Sequence, residues 1–120
     1  MTPRRLYSDY IRDILDAVTK ATSFVTGMTF DAFAKDARTS FAVIRALEII
    51  GEAARQIPAD LRAAHPQVPW RAMTGIRDKL IHQYFGVDLE VIWRTVHEDL
   101  PPLLASLESV QVELDRTEAE

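Results

Sequence analysis

The chain has 120 residues, 48% of them hydrophobic and 27% charged, with a formal net charge of −4. That is the composition of one globular domain with a single core. No cysteine is present, which excludes a disulfide framework and a thiolate metal site. The acidic balance argues against a protein that coats nucleic acid, because non-specific affinity of that kind comes from neutralising phosphates.

The opening residues Met1-Thr2-Pro3-Arg4-Arg5-Leu6-Tyr7 include basic side chains but no following apolar run of signal-peptide length. No segment reaches the apolar length of a membrane span, so a cytoplasmic protein without a membrane partner is expected. Leu6, Tyr10, Ile14, Val18, Ala21 and Val25 recur every three or four residues, which predicts an amphipathic helix stopping near Gly27. Thr29 to Asp36 reads as a short connection whose Phe30 and Phe33 pack down on the core. A second helix is expected from about Thr39 to Gln56, with Ile44, Leu47, Ile50 and Ala54 on its inner face, and Pro58 beyond its end. Asp60 to His65 can form one or two turns before Pro66.

Pro69 stands where a helix can begin, and this third helix is expected to continue to about Tyr84, before Gly86. Asp88 is a candidate N-cap for a last helical region from Leu89 to about Leu114. Pro101-Pro102 predict a kink there, or one helix ending and another starting with proline in its first turn. Residues 115–120 are charged and are expected to fray. With no alternating strand pattern, the fold class is all-α, an antiparallel bundle of four to five helices over residues 1–114.

The chemistry concentrates in Arg77-Asp78-Lys79-Leu80-Ile81-His82-Gln83-Tyr84. Arginine supplies a permanent charge and a planar donor fork for phosphate oxygens, and histidine moves protons near neutral pH. Together they are the minimum kit for cutting RNA without a metal, where the ribose 2′-hydroxyl attacks its own phosphate. Between Trp70 and Phe85 the charged side chains are Arg71, Arg77, Asp78 and Lys79, a local positive excess on an acidic body. On a straight helix, positions 77 and 84 lie within about 20° of one face and roughly 10 Å apart along the axis, whereas position 82 is about 140° round. Convergence of all three therefore requires either that the helix loosen before Gly86 or that two copies of the chain bring their motifs together.

The spacing Arg77, four residues, His82, one residue, Tyr84 resembles the signature of the HEPN ribonucleases, and within them the HepT toxins. The likeness extends to Ala46–Ala54, which resembles that family's second long helix, and to Ile57-Pro58 and Val68-Pro69-Trp70-Arg71, which resemble the breaks after it. Asp88–Trp93 and Asp99-Leu100-Pro101-Pro102-Leu103 resemble the segment following the motif. Asp78 departs from the asparagine that the superfamily often carries.

The resemblance implies a dimeric HEPN-like fold with the catalytic cleft at the interface. It also implies a metal-independent endoribonuclease, the toxin of a type VII-like toxin–antitoxin pair, whose partner is a minimal nucleotidyltransferase antitoxin of the MntA type. Arg77 and His82 are the implied catalytic residues, with Asp78 and Lys79 as supporting candidates. Tyr84 is the implied acceptor of AMP from the antitoxin, a modification that silences the toxin. RNA is the substrate, and no cofactor or metal is expected.

Blander readings stand beside these. Arg77 to Lys79 also suit a solvated helix turn, His82 a helix-ending histidine on the dipole, and Tyr84 a core tyrosine with its hydroxyl at the surface. His65 and His97 read as surface residues, Trp70 and Trp93 as core or interface anchors, and Asp9, Asp13 and Asp16 as a solvated acidic stripe. Glu48 and Glu52 share a face but lack partners at metal-ligand spacing. The runner-up function is a catalytically silent HEPN-fold module that binds a nucleotide or a partner. A third is a helical dimerisation unit with Arg77 in an interface salt bridge.

Overall fold

The computed structural model describes residues 6–81 and 88–119. The first helix, α1, spans Tyr7–Phe24 and buries Ile11, Ile14, Ala17, Val18 and Ala21, close to the face its periodicity predicts. The Asp9 carboxylate accepts the N–H of Leu6 at 3.0 Å and holds the entry turn. The helix ends in a turn at Gly27, whose φ of +78° is a left-handed conformation that side chains with a Cβ disfavour.

Residues expected as a connection instead form a short helix, α2 (Phe30–Lys35), with the Thr29 hydroxyl accepting the Ala32 N–H at 3.1 Å. Six residues carry too little periodicity to announce a helix. Its stability comes from Phe33, fully buried and 5.3 Å from the Trp93 ring centroid. α3 (Ala37–Arg55) follows at once, its N-cap Asp36 accepting from the Thr39 N–H and hydroxyl at 3.1 and 2.8 Å. Those two bonds hold the Asp36 carboxyl below its ordinary value of 3.8.

α4 (Ala59–Ala64) is the expected pair of turns after Pro58. Its Arg62 reaches back to accepting carbonyls of Ile57 at 2.8 Å and Ala54 at 3.2 Å, adding donors to the turn that closes α3.

The third predicted helix divides into α5 (Trp70–Thr74) and α6 (Ile76–Ile81). Gly75 closes α5 by donating to the Arg71 carbonyl at 3.0 Å, and a Cβ there would lie 3.2 Å from that same oxygen. The expected course beyond Ile81, to about Tyr84, lies outside the described residues.

Asp88 caps α7 (Leu89–Arg94) as expected, its carboxylate accepting the Glu90 N–H at 3.0 Å. One π-helical turn, Thr95–Asp99, then leads into α8 (Leu100–Ala119). Pro101 and Pro102 thus sit in the first turn of α8, directly after the π turn, where the sequence predicts a kink or a restart. Neither can donate to the turn before it, and the widened turn, with Leu100 N–H bonding to the Thr95 carbonyl, accommodates the missing donors without breaking the rod.

α8 continues through Asp115 to Ala119, the stretch expected to fray. Glu118 accepts from the Ser8 hydroxyl and backbone N–H, and Asp115 pairs with Arg12 at 2.8 Å. These contacts join the start of α1 to the end of α8, so the two run antiparallel. Among the described residues four spans make up the bundle: α1, α3, the α5–α6 pair, and α7 continued through the π turn into α8. No helix among the described residues is long and apolar enough to cross a membrane.

Two consequences are measurable. Ile50→Ala, at a fully buried position on α3, is expected to cost about 2–5 kcal/mol in urea denaturation. Because the folded-state pKa of Asp36 is depressed, its capping contribution is complete above 3.8 and is lost as pH falls through the folded value. Acid titration of thermal midpoints is therefore expected to show a steeper loss for the native chain than for Asp36→Asn.

Candidate active site

α6 carries the first half of the motif, and its position is set by what lies beneath it. Trp70 is buried and its indole Nε1 donates to the carbonyl of His65 at 3.0 Å, which locks the loop after α4 onto α5. Met73, Ile76 and Leu80, also buried, repeat at helical spacing and seat α5 and α6 on α3. Trp70 is thus the core anchor its sequence context suggests.

His65 departs from its expected surface position. It is 6% exposed, with Nε2 3.5 Å from a carboxylate oxygen of Glu113 on α8. The tight turn through Pro66 carries it inward, and nothing in its local sequence signals a partner 48 residues away. His97 is exposed as expected, stacked 4.0 Å from Trp93 with Nδ1 2.8 Å from that residue's carbonyl oxygen. Trp93 belongs to an aromatic cluster with Phe30 and Phe33, a packing role.

Of the motif itself, position 77 lies on α6, while His82 and Tyr84 lie outside the described residues. Asp78 and Lys79 are both exposed. Lys79 lines a groove of about 350 Å³ between α5–α6 and the π turn, with Ile76 and Met73 in its floor and Glu98 and Asp99 on the opposite wall. Position 79 is about 200° round the helix from position 77, so this groove and the motif arginine occupy different flanks of α6.

The end of α3 meets the junction between α5 and α6 at Thr74. There Arg55, exposed, donates through Nη2 to the carbonyl of Thr74 at 3.3 Å. Thr74 precedes position 77 by three residues and Asp78 by four, the spacing of neighbours on one helix face. Gly75 keeps right-handed backbone angles (φ −85°, ψ −5°), so that neighbourhood persists across the junction. Arg71, also exposed, adds a further positive charge to the α5 turn. The Arg55 contact is the feature of this region that the sequence did not disclose, since its partner is 19 residues away on another element.

A larger groove of about 760 Å³ runs between α1 and α3, lined by Tyr10, Asp13, Asp16, Lys20, Arg45 and Glu52 among others. It lies apart from α6 and mixes both signs of charge. Glu52 is 3.8 Å from Arg45, and among the described residues no three His, Asp or Glu side chains are grouped to hold a metal ion.

A family model described as "Ribonuclease HepT-like" matches residues 14–110, a span that contains α3, α6 and the whole of the 77–84 motif. "Probable ribonuclease HepT" of Thermococcus cleftensis is 49% identical over 108 residues, which are 90% of this chain and 98% of that one. A candidate RNase of Methanocaldococcus jannaschii is 43% identical over 108 residues, 90% of this chain and 89% of that one. A candidate RNase of Caldanaerobacter subterraneus is 42% identical over 102 residues, 85% and 88% of the two chains. No solved structure matches the chain.

Proposed function

The chain belongs to the HepT-like ribonuclease family, and on that premise we propose that it is a metal-independent endoribonuclease toxin working through Arg77 and His82. The observation that carries this reading is the coincidence of the family match with the Arg77–His82–Tyr84 spacing. The seating of α6 on α3 through Ile76 and Leu80, with Arg55 donating to the carbonyl of Thr74 just before it, adds support.

In this reaction the 2′-oxygen of the ribose attacks the adjacent phosphorus and the bond from phosphorus to the 5′-oxygen breaks. One base removes the 2′-hydroxyl proton and one acid protonates the departing 5′-oxygen. Each motif holds a single histidine, so two copies of the chain meeting across a two-fold axis supply both. One His82 is neutral and accepts, the other is protonated and donates, at a pH near the ordinary histidine value of about 6.5. Arg77 binds the scissile phosphate and stabilises the charge that grows on its oxygens in the transition state. The products are a 2′,3′-cyclic phosphate and a 5′-hydroxyl. Asp78 and Lys79 shape the field around this centre; Lys79, on the other flank of α6, does so at longer range.

Tyr84 is the switch in this proposal. A minimal nucleotidyltransferase antitoxin transfers AMP from ATP to the phenolic oxygen, releasing pyrophosphate. The added phosphate and bulk beside Arg77 then oppose RNA in the same cleft.

RNA cleavage in excess chelator, using protein whose unmodified state is verified by intact mass, tests the nuclease. Cyclic-phosphate ends are expected, with His82→Ala lowering the rate by about 10²–10⁴-fold and Arg77→Ala by about 10²–10³-fold. Products ending in a 3′-hydroxyl, or activity that survives His82→Ala, would overturn the mechanism. Incubation with the nucleotidyltransferase and ATP is expected to add AMP to the native chain and stop cleavage. Tyr84→Phe should remain unmodified and active, and silencing of that variant would remove Tyr84 from the switch.

A further inference from the structure

Among the exposed cations near α6, Arg55 is distinguished by being held in place without being neutralised. Its Nη2 donates to the Thr74 carbonyl across the contact between α3 and α5, and it makes no ion pair with any carboxylate of the described residues. Arg12, Lys20, Lys35, Arg45 and Arg94 are, by contrast, each within 4 Å of an acidic side chain. Nor is Arg55 needed to cap its own helix, because Arg62 already donates to the carbonyls of Ala54, Arg55 and Ile57. One donor of the five on the guanidinium is used, leaving a pre-oriented fork facing solvent.

We propose that Arg55 is a second phosphate-binding residue of this ribonuclease, gripping the phosphodiester next to the scissile one and setting the register of single-stranded RNA along α6. The inference rests on the ribonuclease reading and adds to it a residue outside the motif. Thr74, the anchor of Arg55, is three residues from position 77 on the same flank of the α5–α6 pair. In this proposal a strand whose scissile phosphate is bound by Arg77 carries its neighbouring phosphate past the end of α3, to Arg55. Asp78 is the acidic group on that flank; with Arg55 and Arg77 the local balance stays positive on a chain of net charge −4. A tethered arginine loses less side-chain freedom on binding than a free one, and its fork matches phosphate oxygens.

The test is binding of a short single-stranded RNA carrying 2′-O-methyl groups throughout, which cannot be cut, followed by anisotropy at several salt concentrations. Arg55→Ala is expected to weaken binding about tenfold at low salt and to lower the slope of log affinity against log salt by about 0.7, the share of one single-strand phosphate. The loss should be the same for oligonucleotides of different sequence. Arg55→Lys should restore most of the slope, which a purely structural role for the Thr74 contact does not predict. On a cleavable RNA the change should fall on KM, with kcat within about twofold.

Arg116→Ala, the same change in net charge on exposed α8 surface, is the control. An equal effect from that variant would reduce Arg55 to general attraction and overturn the proposal. Cleavage by the native chain with an unaltered salt slope for Arg55→Ala would overturn it while leaving the ribonuclease intact. A native chain that neither cuts nor binds RNA would overturn both.

Discussion

Burial of α3 by helices on several sides is the constraint from which the rest of the architecture follows. Val43, Leu47 and Ile50 are inaccessible to solvent or nearly so, and α1, α2, α5, α6 and α7 all lie against this one helix. Its buried face also carries Ser40, Ala46, Gly51, Ala53 and Ala54, small residues that let neighbouring backbones approach closely. The described part of α6, Ile76–Ile81, is seated by apolar contacts on α3. Its form is a product of Met73, Ile76 and Leu80 docking on α3, so the position of the motif arginine depends on the packing of a helix that contributes no motif residue.

The polar contacts refine this frame at its ends. Thr29, Asp36 and Asp88 cap helix starts with oxygen acceptors, and Arg62 serves the end of α3. The π turn before Pro101-Pro102 answers a related need, since two consecutive residues without an N–H leave the preceding turn short of donors. Each device keeps the long rods intact where the chain must bend or begin again.

Charge pairing is uneven over this acidic molecule. The stripe of Asp9 and Asp16 on α1 is largely balanced by Arg12 and Lys20, and the α1–α3 groove mixes both signs. The cations around the α3–α5–α6 junction are less fully compensated.

Much of this was legible from residue order alone. The period of α1 and its stop at Gly27, the capping role of Asp88, the short turns after Pro58 and the restart at Pro101 are local matters, decided by steric and hydrogen-bonding preferences within a few residues. The family was legible too, because the Arg77–His82–Tyr84 spacing and its flanks are linear patterns. Other features depended on partners distant in the chain. α2 exists because Phe33 finds Trp93. Residues 115–119 stay helical because Glu118 and Asp115 meet Ser8 and Arg12, more than a hundred residues away. His65 is buried because Pro66 and Trp70 fold its loop inward. The break at Gly75 and the meeting of Arg55 with Thr74 arise only when α5 and α6 settle on α3. The sequence by itself thus determined the long helices and the family. Only the tertiary structure decided which charges are free and which face they share, because pairing and burial depend on distances in space that chain separation does not encode.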